Sequence, residues 1–159
     1  MSEQIDISAA GKYLTFALAH EEYGVPALKV REIIKVMDIT PVPHLPAHMK
    51  GVINLRGRVI PVVDLRLKFG LPSDAYTDRT CIVVGEVELA GQLTPLGMIV
   101  DSVSEVLNIS ADEIEAMPKL GQGGDTEYMQ GVAKVKGTVT LLLNLDKVLS
   151  ADSLFGRAA

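Results

Sequence analysis

The sequence predicts an all-β protein of two small intertwined barrels, and three observations carry that expectation. A fifteen-residue pattern occurs twice in one register, as Gly51-Val-Ile-Asn-Leu-Arg-Gly57-Arg-Val-Ile-Pro-Val-Val-Asp-Leu65 and as Gly131-Val-Ala-Lys-Val-Lys-Gly137-Thr-Val-Thr-Leu-Leu-Leu-Asn-Leu145. Upstream of it, Gly24 to Val36 aligns with Gly97 to Ile109, setting Val30 on Val103, Glu32 on Glu105 and Ile34 on Leu107, so the repeat spans most of the chain. Hydrophobic residues make up 48% of the sequence, yet aromatics only 4%, with no Trp. The core must then rest on Val, Ile and Leu, and the β-branched types suit pleated surfaces. Finally, the apolar runs are short and divided by turn residues, as in a chain of about five short strands per repeat.

At 159 residues the chain falls within the range of a single domain. The pseudo-repeats run over approximately 13–77 and 78–150, and each half would be marginal alone, so they are expected to share a core or intertwine. Residues 1–11 and 151–159 read as loose tails.

Taken in order, strands are expected near Tyr13 to Ala19 and Tyr23 to Ala27, joined by the polar turn His20-Glu-Glu22. A third should cover Ile33 to Ile39, ended by Thr40-Pro-Val-Pro-His-Leu-Pro46, whose prolines lack backbone donors and force an extended surface connection. Val52 to Leu55 and Val59 to Val63 flank Arg56-Gly57, a hairpin spacing with Arg56 at the tip. Pro61 gives its strand an edge or a bulge at that face. Asp64 and Asn144 are good N-cap types and predict short helices at Leu65 to Phe69 and Leu145 to Leu149. In the second half, strands are expected at Ile82 to Glu88, Leu96 to Val100 and Val103 to Leu107. The capping box Ser110-Ala-Asp-Glu113 predicts a brief helix to about Met117, residues 121–127 form a flexible loop, and the second motif copy makes the closing hairpin.

The formal charge of −5, from 20 acidic and 15 basic residues scattered singly, gives no footprint for a phosphate backbone, so nucleic acid is not an expected partner. The lone Cys81 opens the run Cys81-Ile-Val-Val84 and reads as a buried, inert thiol in a cytosolic protein. No export signal and no membrane-length apolar stretch stand out. Catalytic patterns do not emerge either. His44 and His48 have helical ligand spacing, but Pro43 and Pro46 break that helix, and no metal site is expected. The Gly-Gln-Gly-Gly-Asp run at 121–125 lacks the phosphate-cradle ending, and no serine sits in a nucleophile elbow. An enzyme is not expected, nor a cofactor.

Two carboxylates stand out instead. If residues 28–36 run as one strand, Leu28, Val30, Glu32, Ile34 and Val36 share a face that Glu32 interrupts, and Glu105 interrupts the matching stripe. Arg56 is the natural partner of Glu32 and Lys136 that of Glu105. Two readings stand side by side: exposed charges worth under ~1 kcal/mol, or a fixed pair that orients Arg56 in a protein-binding groove. The strand itself has a rival, a helical turn over Ala27 to Glu32 that would put Val30 and Glu32 on different sides. Gly51 and Gly57 read as positive-φ turn positions or as points of close approach.

Tyr23-Gly-Val-Pro-Ala-Leu-Lys-Val-Arg-Glu-Ile33, Gly51-Val-Ile-Asn-Leu-Arg-Gly57 and Val59-Ile-Pro-Val-Val-Asp-Leu-Arg66 together closely resemble the CheW family of chemotaxis coupling proteins. Gly97-Met-Ile-Val-Asp-Ser-Val-Ser-Glu-Val106 and Thr126-Glu-Tyr-Met-Gln-Gly131 extend the resemblance over roughly residues 13–150. It implies two SH3-like five-stranded β-barrels around an apolar seam. It also implies a non-enzymatic adaptor joining the regulatory domain of the histidine kinase CheA to the cytoplasmic tips of chemoreceptors, with ring contacts to other CheW copies. Val30, Glu32, Gly51, Arg56 and Gly57 match family positions tied to receptor coupling. Asn54 belongs to the same motif, and Gly97, Val100 and Val103 match a segment beside the receptor groove. The resemblance further implies a cytoplasmic protein recruited to membrane-associated receptor arrays. A paralogous adaptor of a pilus-motility or developmental system would share every motif quoted.

Overall fold

The structure is a computed structural model and describes residues 11–72, 75–89, 91–116, 128–150 and 153–154. The expected arm up to residue 10, the loop at 121–127 and most of the tail from 151 lie outside the described residues. The chain is all-β, with two sheets. The strands are β1 (Gly11–Leu18), β2 (Glu21–Pro26), β3 (Val30–Lys35), β4 (Met49–Leu55), β5 (Arg58–Asp64), β6 (Cys81–Leu89), β7 (Gln92–Val100), β8 (Ser102–Ile109), β9 (Ile114–Glu115), β10 (Met129–Val135) and β11 (Thr138–Leu143). Two single-turn helices, α1 (Leu65–Lys68) and α2 (Leu145–Val148), follow β5 and β11.

Local chemistry accounts for these elements. Arg56 and Gly57 have φ of 52° and 89°, and Lys136 and Gly137 have 54° and 78°, so both β4–β5 and β10–β11 close through two-residue turns with positive φ at each central position. Such turns match the right-handed twist of the flanking strands. Ala19 and His20 form a third turn of this kind, one residue before the polar stretch expected to serve. Asp64 caps α1 by accepting from the Arg66 amide, and Asn144 caps α2 by accepting from the Lys147 amide. The capping box at Ser110 and Glu113 is formed, but it opens only a 3₁₀ turn at Ala111–Glu113. The chain then extends as β9, which pairs with β10 and ends the expected helix early.

The two sheets do not follow the two halves of the sequence. One has the order β3-β6-β7-β5-β4 and the other β8-β1-β2-β11-β10-β9. Each therefore joins the first hairpin of one half to the last strands of the other. The orders superimpose as β3 on β8, β6 on β1, β7 on β2, β5 on β11 and β4 on β10, and both contain one parallel contact, β5 with β7 and β11 with β2. Expected as five-stranded, the second barrel gains the short β9 as a sixth strand. Pro61 sits on an internal strand, β5, yet the ladder from β5 to β7 begins only at Val62, so the proline meets no neighbour there that needs its missing donor.

The buried apolar side chains form three clusters. Ile53, Ile60, Val62, Ile82, Val84 and Ile99 fill the first barrel, and Tyr13, Ile109, Ile114, Ala133, Val135 and Leu142 fill the second. Between them lies a larger seam including Leu14, Phe16, Val63, Val83, Met98, Val100, Leu143 and Leu145. On β6 the alternation is explicit: Ile82 and Val84 face the first barrel, whereas Val83 faces the seam. Each fully buried side chain of this type contributes about 1.5–3 kcal/mol of transfer free energy. Cys81, expected to be buried, is partly exposed at the start of β6, and its Sγ donates to the Arg79 carbonyl at 3.1 Å.

The first glycine of each repeat marks a backbone crossing. Thr40 and Val52 exchange hydrogen bonds of 2.8 and 2.9 Å, and a Cβ on Gly51 would stand 2.0 Å from the Thr40 carbonyl oxygen. At Gly131 the corresponding strand is β9, with the Glu115 oxygen 2.9 Å from such a Cβ. A second tie is ionic. Arg66, with its side chain 2% exposed, donates to Asp64 through Nε and Nη2, each at 3.0 Å, and to Asp101 through Nη1 at 3.1 Å. Asp101 in turn accepts from the Ala19 amide at 2.8 Å, so the network links α1 to the β1–β2 turn of the other sheet. These carboxylates, Asp64 first, hold the guanidinium pKa above its ordinary value against the opposing effect of burial.

Candidate functional site

The candidate site lies at one end of the first barrel, where β3 meets the β4–β5 hairpin. Ala27–Lys29 forms a 3₁₀ turn and β3 starts only at Val30, so residues 28–36 are not one strand and Leu28 is 95% exposed. Within β3 the register to β6 shifts between Val30, opposite Gly85, and Glu32, opposite Val84. The extra residue of this bulge is Arg31. The shift turns Val30 onto the seam and Glu32 toward the barrel end, as the rival helical-turn reading anticipated for their sides.

Arg56 reaches back from the hairpin tip and pairs with Glu32 through Nη2 and Oε2. The tip is held by Asn54, whose Oδ1 accepts from the Gly57 amide at 2.8 Å. The Arg56 and Glu32 side chains are 69% and 32% exposed, so their pair contributes at most ~1 kcal/mol to stability and its value is orientation. Positive φ at Arg56 carries no functional message, since Lys136 has it too. Around the pair is a cavity of about 440 Å³ with an apolar floor of Leu55, Ile60, Val84 and Pro95. Arg31, Arg58 and Glu86 complete its rim, and Arg31 pairs with Glu86.

The other expected residues occupy different places. Val30 and Val103 are partly buried against the seam. Gly51 is the crossing point under Thr40, and a Cβ on Gly97 would lie 2.8 Å from Ile82 Cγ2 inside the first barrel. Val100 is 0% exposed within the seam, where its side chain offers no surface. The expected Glu105–Lys136 pair is not formed: among the described residues neither Glu105 nor Lys136 makes an ion pair, and Lys134 pairs with Glu115 of β9 at 2.9 Å. Sequence reasoning missed Arg31, Arg58 and Glu86. For Arg31 and Arg58 the available signal was the density of charge beside Glu32 and Arg56, whereas Glu86 reaches the site only through the pairing of β6 with β3.

Among the described residues no cluster of three or more His, Cys, Asp or Glu side chains is placed to hold a metal ion, and no helix is long and apolar enough to cross a membrane. Comparison with known proteins agrees with the fold and extends it. The CheW-like domain matches residues 12–153. The chain belongs to the CheW family. It is 35% identical to the chemotaxis protein CheW of Klebsiella aerogenes, over 90% of this chain and 84% of that protein. It is 33% identical to the chemotaxis protein CheW of Rhizobium meliloti, with 87% of each chain covered. The crystal structure of the scaffolding protein TtCheW from Thermoanaerobacter tengcongensis superimposes with a TM-score of 0.79 at 33% identity, covering 94% of this chain and 97% of that one. As a member of the CheW family the chain is a chemotaxis scaffold or adaptor.

Proposed function

We propose that the chain couples the cytoplasmic tips of chemoreceptors to the regulatory domain of the histidine kinase CheA, without catalysing a reaction itself. In this reading it works in the cytoplasm, recruited to receptor arrays at the membrane, and contacts other CheW copies in rings. The observation that carries the proposal is the Arg56–Glu32 pair at the rim of the first barrel, where the hairpin tip and the β3 bulge hold two charges beside an apolar floor. A receptor helix laid across this end would place an apolar side chain on the floor and polar groups at the rim, the usual anatomy of a helix-in-groove contact. Glu32, Arg56 and the hairpin residues Asn54 and Gly57 touch or shape that surface, Val30 adjoins it on β3, and Val103 holds the matching place on β8 of the other sheet. Gly51, Gly97 and Val100 support it from within.

Coupling then needs no chemistry at the adaptor. A receptor that binds differently in its two signalling states shifts the kinase by that difference in affinity and by no more. The test replaces Arg56 by Glu, which sets like charges against Glu32 and the incoming helix. The variant should fold as the parent does and lose receptor-dependent control of the kinase in reconstituted arrays. Full control by a folded Arg56→Glu variant refutes the proposal.

A further inference from the structure

The pseudo-symmetry of the fold supplies an internal comparison for the charged rim. The paired registers set Arg31 on Ser104, Glu32 on Glu105 and Glu86 on Ala17, and the hairpins set Arg56 on Lys136 and Arg58 on Thr138. The same backbone is therefore built twice, and of these five matched positions all are charged at the first end and two at the second. At the second end, Ser104 donates to Glu22 at 3.0 Å, a neutral-to-anion contact where the first end has a full ion pair. The scaffold does not need Arg31, Arg58 or Glu86.

At the first end the charges do not balance. Arg31 is matched by Glu86 and Arg56 by Glu32, whereas Arg58 is exposed and, among the described residues, makes no ion pair. It stands one strand residue past the hairpin tip, on the rim of the same cavity. The two pairs fix their members and leave this third guanidinium free to accept a carboxylate from outside. A guanidinium binds a carboxylate through two parallel hydrogen bonds, so it reads position as well as charge.

We propose that Arg58 is a specificity-determining residue of this surface, and that it selects a receptor helix carrying an Asp or Glu within one turn of the apolar side chain that covers the Leu55–Ile60 floor. This rests on the receptor-coupling reading of the site. Arg31 and Glu86 are positioning residues: their pair keeps Glu86 from competing for Arg58.

The test uses the full chain and the cytoplasmic signalling fragment of a chemoreceptor from the same cells, labelled for fluorescence anisotropy, at low and high salt. Arg58→Thr installs the residue that the second barrel already carries at this place, so the fold is retained, and unchanged thermal unfolding checks it. Binding should weaken roughly three- to tenfold at low salt and less at high salt. Arg58→Glu should weaken it further, and reversing one acidic residue of the receptor fragment to Lys should restore binding to that variant alone. If Arg56→Glu weakens binding while Arg58→Thr does not, the specificity role of Arg58 is overturned and the site stands. If neither variant changes binding, the receptor-coupling reading falls with it. Self-association or oligonucleotide binding that depends on Arg58, with receptor binding intact, would assign the cation to another occupant and overturn the proposal.

Discussion

Replacing Gly51 by Ala tests whether the repeated glycine belongs to the fold or to the partner surface. The residue has φ of 137°, which L side chains rarely adopt, and an added Cβ would lie 2.0 Å from the Thr40 carbonyl oxygen and 2.9 Å from the Pro41 Cα. Neither neighbour is a flexible side-chain end. To admit the methyl group, the chain must give up the Thr40–Val52 bridge, whose two hydrogen bonds are 2.8 and 2.9 Å. Those bonds contribute about 0.5–1.5 kcal/mol each, and the backbone strain adds roughly 1–3 kcal/mol. A loss of about 2–6 kcal/mol follows. Gly131→Ala should cost less, since its φ is not positive and its nearest backbone contact is 2.9 Å. Gly57→Ala meets no atom within 4 Å and pays only for positive φ, about 1 kcal/mol. Urea unfolding of the three variants should give the order Gly51 worst, then Gly131, then Gly57. A Gly51→Ala protein within ~0.5 kcal/mol of the parent, inside the range of ordinary surface substitutions, refutes the crossing as the reason for the glycine.

Three further outcomes are expected. Arg66→Met leaves the Asp64 carboxylate buried without its cation and should destabilise the fold by roughly 3–5 kcal/mol in urea unfolding, whereas a loss under ~1 kcal/mol would mean the network carries no weight. Burial, with Glu21 as a lesser cause, raises the Tyr23 pKa above its ordinary 10.0, so above that pH the unfolded chain loses the phenolic proton first. Stability should therefore fall as pH rises from about 10 through the folded Tyr23 pKa, and Tyr23→Phe should flatten that decline in thermal unfolding; equal slopes in both proteins would contradict it. A double-mutant cycle on Glu32 and Arg56 in the free protein should give a coupling below ~1 kcal/mol, as for exposed pairs, and a larger value would make the pair structural.

Much of this was legible in the sequence wherever the physics is local. Arg56-Gly57 and Lys136-Gly137 identified both hairpins because two-residue turns demand positive φ, and Asp64 and Asn144 identified the helix starts because an orphan amide needs an acceptor. The Glu32–Arg56 pair was readable from the repeat itself. What escaped depends on contacts distant in sequence. Alternation on β1 and β6 fixes which faces are apolar, but not which strand lies alongside, so the hairpin exchange between halves was not visible. The bulge at Arg31 flips Val30 against Glu32 with no sequence mark. Asp64 looked like a cap, and its pairing with Arg66, though local, carries no pattern of its own, while Asp101 joins that cation from just past β7. Val100 lay in a strand whose outer face the seam covers, and burial on both sides leaves no alternation to read.

Amide chemical-shift mapping of the labelled chain, titrated with the receptor signalling fragment, tests the central claim most directly. The account predicts shifts centred on Arg31, Glu32, Asn54 to Arg58 and Glu86, with the matching positions of the second barrel, Ser104, Glu105, Lys136, Thr138 and Ala17, unmoved. Shifts centred on the second barrel end, or spread equally over both, would contradict it.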